Sequence, residues 1–187
     1  MSTITSFVQH MPAMKTVMHV GAVNSLRSEL NLLGVQRVLL VCSGSVRRSS
    51  LHPVLMAQLQ NLLVLQAPDI PAHSSVELVE KLAAQSALQD IQCIVTVGGG
   101  SCSDTAKAIA LLTAEGGRLA DHASSFTPPD QLRIPILTGT KIPIVSIPCT
   151  ASGAEVTPSL GIRDAAGRKL ALNGETVQSA FGKISDA

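Results

Sequence analysis

The stretch CIVTVGGGSCSDTAKAIA, from Cys93 to Ala110, limits most tightly what this chain can fold into. Ile94 to Val97 is a short β-branched apolar run, the pattern of a strand buried on both faces. Gly98, Gly99 and Gly100 follow. Ser101, a residue type that caps helices, then opens a run with Ala106, Ile109 and Ala110 on or near one face. A strand, a glycine turn and a helix start in succession can hold an anion. Glycine has no Cβ to keep a phosphate off the backbone, and the first helical N–H groups have no partner inside the helix. The helix dipole adds partial positive charge at the same spot. Taken alone, the turn is equally a plain tight turn, since it matches neither G-x-G-x-x-G nor the P-loop pattern.

The rest of the chain repeats the alternation. Thr16 to Val20 reads as an edge strand. Leu26, Leu30 and Leu33 mark a helix capped by Asn24 or Ser25 and stopped at Gly34. Val38 to Val41 is a second strand, with Ser43 in the turn after it. Pro53 to Gln60 reads as a helix and Leu62 to Leu65 as a strand. Ser74 and Glu77 are spaced as a capping box ahead of a helix with Val76, Val79, Leu82 and Ala83 on one face. Residues 116–140 read as a long irregular connection, and Ile142 to Ile147 as a strand in which Pro143 marks an edge or a strand start. Strands alternating with helices predict an α/β fold, a Rossmann-like parallel sheet with helices on both faces. Ligands of such sheets bind at the carboxyl ends of strands, so the turns at Ser43, Gly98 and Pro148 are expected to share one edge.

Net charge is +1, there is no Trp or Tyr and there are three Phe. Neither a basic stripe nor stacking platforms are in place, so nucleic acid is not expected as a partner. No apolar run approaches the length of a membrane span, and Met1 to Val8 lacks the layout of a signal peptide. A cytoplasmic location and no membrane partner are the expectation. The four cysteines, Cys42, Cys93, Cys102 and Cys149, form no C-x-x-C pair and read as free thiols in a reducing compartment. His10, His19, His52, His73 and His122 are scattered, with no i, i+4 pair to suggest a metal site.

The full pattern Gly98-Gly-Gly-Ser101-x-x-Asp104-x-x-Lys107 resembles the signature of the iron-containing (group III) alcohol dehydrogenase family. The segment Ile147-Pro-Cys-Thr-Ala-Ser-Gly-Ala-Glu-Val-Thr-Pro158 resembles a second motif of that family. It is one residue shorter than the common form and closer to the maleylacetate reductase branch. Gly161-Ile-Arg-Asp164 with Gly167-Arg-Lys169 is similar to the family's hairpin.

The resemblance implies the N-terminal NAD(P)-binding domain of a two-domain, dehydroquinate synthase-like fold, spanning residues 1–187. It implies a hydride transfer between a nicotinamide and a small alcohol or carbonyl substrate. Gly98, Gly99, Gly100 and Ser101 would bind the cofactor phosphates, and Asp104 the turn or a cofactor hydroxyl. Cys149 and Thr150 would line the nicotinamide side, and Lys169 would reach the cofactor. Family members that prefer NAD often carry an acid at about Ser43, and no carboxylate stands there. Arg47 and Arg48 follow, which suggests tolerance of NADP. The family's Fe²⁺ or Zn²⁺ is held by a helical domain whose ligands are not in this sequence. No residue here is a general acid or base, so the chain alone is expected to be inactive. An apolar face normally covered by that domain is expected to be exposed or to drive self-association into a homo-oligomer. Two alternatives stand beside this reading: a dinucleotide-binding module without turnover, and a polyol or sugar-phosphate dehydrogenase of the same superfamily.

Overall fold

The computed structural model describes residues 14–173 and 181–185. In chain order it contains β1 (Met14–Met18), α1 (Leu26–Leu32), β2 (Val38–Cys42), α2 (Gly44–Arg47), α3 (Leu51–Leu59), β3 (Leu63–Gln66), α4 (Val76–Leu88), β4 (Cys93–Gly98) and α5 (Gly100–Glu115). These are followed by β5 (Ser125–Thr127), β6 (Gln131–Arg133), β7 (Ile144–Pro148), β8 (Ser159–Arg163), β9 (Lys169–Asn173) and β10 (Phe181–Ser185). Six strands form one parallel sheet in the order β1-β10-β7-β4-β2-β3, while β5-β6 and β8-β9 are separate antiparallel hairpins.

The central strands carry no polar alternation because both faces are covered. Leu39, Val41 and Ile94 face a core built with Val79 and Leu82 of α4 and Ile109 of α5. Their neighbours Val38, Leu40, Cys93, Val95 and Val97 face a second core with Leu26 and Leu30 of α1 and Leu55 and Leu59 of α3. The expected α/β sheet with helices on both faces is therefore what forms. Among the described residues no helix is long and apolar enough to cross a membrane.

Several local expectations shift. The helix predicted from Ser74 is capped one residue later: Ser75 Oγ accepts from the Leu78 N–H at 3.2 Å, and Ser74 is buried. Ser101 is not a cap. Gly99 holds the N-cap position, α5 starts at Gly100, and the Ser101 hydroxyl donates to the Ala72 carbonyl. A 3-10 turn, Ala22–Ser25, precedes α1, and Ser25 makes no side-chain cap. Pro143 lies just before β7, an interior strand. Its carbonyl accepts from the Ile94 N–H at 3.0 Å, and its missing donor falls outside the ladder. Residues 116–140 are not structureless: they hold a 3-10 turn, Leu119–His122, and the β5-β6 hairpin. Exposed apolar side chains gather there, at Phe126, Leu132, Ile134 and Ile136, and again near β1 at Met14, Met18 and Val20.

The end of that connection is tied to α5. Lys141 Nζ pairs with Glu115 Oε1, and the same oxygen accepts from the Gly139 N–H at 2.8 Å. The Lys141 hydrogen bond, with that of Gly139, holds the Glu115 carboxyl below its ordinary value. A depressed acid stabilises the fold above its ordinary value, and that contribution is lost as pH falls through the folded-state value. The fall in thermal midpoint between about pH 5 and pH 2 is therefore expected to be steeper for the native chain than for Glu115→Gln, as followed by circular dichroism. Parallel curves would remove this pair from the account.

Sheet order sets where a ligand can go. From β2 the chain moves outward to β3 through α3. From β3 it returns past β2 to β4 through α4, on the opposite face. The connections leaving β2 and β4 thus diverge, opening a crevice at their carboxyl ends.

Candidate functional site

The crevice is a cleft of about 310 Å³ lined by Ser43, Ser45, Ile70, Pro71, Ala72, Gly99, Gly100, Ser101, Cys102, Cys149 and Thr150. The turns after β2, β4 and β7 do meet there. Backbone bonds fix their spacing: the Ser43 N–H donates to the Val97 carbonyl at 3.2 Å, and the Cys149 N–H to the Gly98 carbonyl at 2.8 Å. Ser43 also caps α2, accepting from the Val46 N–H at 3.4 Å, and its hydroxyl lies 2.9 Å from that of Ser45.

The three glycines have different reasons to be glycine. Gly98 is buried with φ +148°, and an added Cβ would stand 2.7 Å from Cys102 Sγ and 3.3 Å from Ser43 Cβ. The fold itself requires that position. Gly99 has φ −87° and ψ −170°, open to any residue, yet a Cβ there would project toward Thr150 Oγ1 at 3.2 Å. At Gly100 it would meet Ser152 Oγ at 3.2 Å. These two positions keep the mouth of the cleft free of side chains. The Cys102 N–H bonds the Gly99 carbonyl at 3.0 Å, closing the first turn of α5. Gly100 and Ser101 supply the first amides of the helix, which have no acceptor within it.

A second cleft, of about 270 Å³, opens beyond residues 149–154 and is lined by Asp104, Ser152, Ala154, Thr157, Ser159, Leu160, Gly161, Lys169 and Ala171. Asp104 Oδ2 accepts from the Gly161 N–H at 3.1 Å, which fixes the β8-β9 hairpin to α5. Lys169 is exposed, and its Cε and Nζ lie over Gly161. Of the predicted site residues, Ser43, Gly99, Gly100, Ser101, Cys149 and Thr150 line the first cleft. Asp104 and Lys169 line the second, and Gly98 lies beneath the turn.

Two residues have a place at the site to which the sequence reading gave no role. Lys107 is wholly buried, its Nζ donating to the carbonyls of Ala154 (2.9 Å), Thr157 (3.4 Å) and Ser159 and lying 3.3 Å from Asp104 Oδ1. Burial lowers its pKa, opposed by the charges of Asp104 and Glu155. The signal was there: one lysine inside the apolar run Ala106 to Leu112. The other is Asp69, whose carboxylate pairs with Arg47 and approaches Arg48, the two cations expected to favour a 2′-phosphate. Arg47 Nε lies 2.6 Å from Oδ1, and Arg48 Nη1 lies 4.0 Å from Oδ2. Burial pushes the thiols of Cys93 and Cys102 up to about 12, so both stay protonated near neutrality. Among the described residues no group of three His, Cys, Asp or Glu is placed to hold a metal ion.

Comparison with known proteins agrees with this geometry. The 4-hydroxybutyrate dehydrogenase of Cupriavidus necator is 32% identical over 154 residues, which is 82% of this chain and 39% of that protein. The NAD-dependent methanol dehydrogenase of Bacillus methanolicus is 27% identical over 157 residues, 81% of this chain and 38% of the relative. The crystal structure of maleylacetate reductase from Rhizobium sp. strain MTP-10005 superposes with a TM-score of 0.72 at 25% identity, covering 98% of this chain and 43% of that one. The chain thus spans about two fifths of the length of these relatives. The profile described as iron-containing alcohol dehydrogenase matches residues 13–181, and the chain belongs to that family.

Proposed function

We propose that this chain is the dinucleotide-binding half of an NAD(P)-dependent oxidoreductase that passes a hydride between the nicotinamide and a small alcohol or carbonyl compound. The observation that carries the reading is the bare cleft at the divergence of β2 and β4, with the amides of Gly99, Gly100 and Ser101 at its mouth. The fit is one of shape and charge. A diphosphate needs backbone amides without Cβ atoms in the way, and the N-terminus of a long helix adds a favourable dipole. When bound, the nicotinamide supplies the hydride chemistry.

The chain's own residues bind and orient. Ser43 and Ser45 offer hydroxyls on the β2 side of the cleft. Thr150 and Cys149 face the glycine turn, and Cys149 contributes volume rather than a strong hydrogen bond, because a thiol is a poor donor. Asp104 and Lys169 border the second cleft, where they would hold the nicotinamide end. The described residues offer no group of three His, Cys, Asp or Glu to hold a metal ion. The Cys149 to Pro158 segment, one residue shorter than the common form, favours a maleylacetate reductase-like branch. The substrate contacts and any metal ligands belong to a second, helical domain.

The test is a titration of the 187-residue chain with NADH, followed by nicotinamide fluorescence. A saturable rise in emission that NAD⁺ suppresses is expected. Emission that only adds to that of free NADH would overturn the proposal.

A further inference from the structure

We infer that Asp69 reads the adenosine ribose, standing in for the carboxylate that is absent after β2, and that it makes the cleft select NAD over NADP. The inference rests on the dinucleotide reading above and deepens it.

The chain leaving β3 runs alongside the exit of β2. The Ala67 N–H donates to the Leu40 carbonyl at 2.9 Å, and the Ile70 N–H to the Cys42 carbonyl at 3.4 Å. Ser43 and Ile70 form a parallel bridge. This register carries the Asp69 carboxylate to the first residue of α2, at the rim of the cleft. An added Cβ on Gly44 would lie 2.6 Å from Asp69 Oδ2 and 3.1 Å from Arg48 Nη1. In nucleotide folds of this kind, an acid near the end of the second strand accepts from the ribose 2′-hydroxyl, while a nearby arginine accommodates a 2′-phosphate. Here the neighbouring strand supplies the acid.

The same carboxylate holds Arg47 and lies at the edge of reach of Arg48, the two cations that a 2′-phosphate could use. Arg47 is fixed twice, by Asp69 Oδ1 and by the Ala67 carbonyl, and its side chain is 22% exposed. Arg48 is 75% exposed and only loosely paired, and Asp69 itself is 56% exposed. Asp69 therefore keeps acceptor capacity toward solvent, where a ribose hydroxyl can donate to it in a charge-assisted bond. A 2′-phosphate at that place meets a carboxylate and an Arg47 already engaged, with Arg48 the one loosely held cation. Removing the carboxylate leaves two guanidiniums and no opposing charge within the cluster, which inverts the preference.

The experiment compares NADH and NADPH dissociation constants for the native chain, Asp69→Ala, Gly44→Ala and the double variant Asp69→Ala, Arg48→Ala. The native chain is expected to favour NADH. Asp69→Ala is expected to shift the ratio toward NADPH by about 10-fold or more, the size of one charge-assisted hydrogen bond. Gly44→Ala changes no charge and pushes Asp69 aside, so it is expected to shift the ratio the same way by less. Arg48→Ala in the Asp69→Ala background is expected to remove the NADPH gain. A native preference for NADPH, or an unchanged ratio in both Asp69→Ala and Gly44→Ala, overturns the inference and leaves dinucleotide binding standing. Absence of binding to either nucleotide by the native chain overturns the functional proposal and this inference with it.

Discussion

Lys107→Met is expected to cost the fold about 3–5 kcal/mol, the range for removing one partner of a buried ion pair. Lys107 is among the largest fully buried side chains, with no exposed surface. Its ammonium satisfies three carbonyls from residues 154–159 and faces Asp104. Methionine fills similar volume but donates nothing, so those oxygens are left in the interior without their cation. For a domain of this size the loss corresponds to a fall in thermal midpoint of roughly 6–20 °C, at about 2–4 °C per kcal/mol. Urea unfolding measures it, and a difference under about 1 kcal/mol would contradict the account. The pH dependence has a definite sign. Burial lowers the Lys107 pKa from its ordinary 10.5, so the unfolded chain binds more protons between the folded-state value and 10.5. Stability relative to Lys107→Met therefore rises with pH across that window.

Gly99→Val is expected to weaken NADH binding by at least about 150-fold, because it removes the approach to two charge-assisted backbone bonds worth about 1.5–3 kcal/mol each. The backbone at Gly99 is extended and tolerates valine, so the fold should persist with a modest rearrangement of Thr150. Gly98→Ala makes the contrast. There the positive φ and the 2.7 Å approach to Cys102 Sγ put strain into β4 itself, and unfolding rather than binding carries the main effect. Fluorescence titration of Gly99→Val beside the native chain checks the first half, and equal affinities would refute it. Urea midpoints of the two variants check the second.

The glycine turn, the buried strand before it and the sharing of one edge by three turns were legible in the sequence. Each depends on local chemistry: β-branched apolar runs bury, glycines turn, and parallel strands align their ends. What was not legible depends on distance. Asp69 lies 26 positions after Ser43 and reaches the same rim only because β2 and β3 are neighbours in the sheet. A reading confined to the residues after β2 therefore leaves Arg47 and Arg48 free. Lys107 looks solvated by its type, and only the carbonyls folded over it from residues 154–159 make its burial tolerable. β10 adds to the sheet between β1 and β7, a strand for which the sequence pattern gave no expectation. The one-residue shift of the cap from Ser74 to Ser75 is ordinary, since adjacent serines offer the same chemistry to the same helix.

The central claim is that bare main-chain amides at the start of α5 hold a diphosphate. The most direct measurement is an amide ¹H–¹⁵N chemical-shift titration of the chain with NAD⁺. The account predicts that the largest perturbations fall on Gly99, Gly100 and Ser101, with smaller ones at Ser43 and Thr150. Saturable binding that leaves those three amides unmoved, with the changes elsewhere on the sheet, would contradict it.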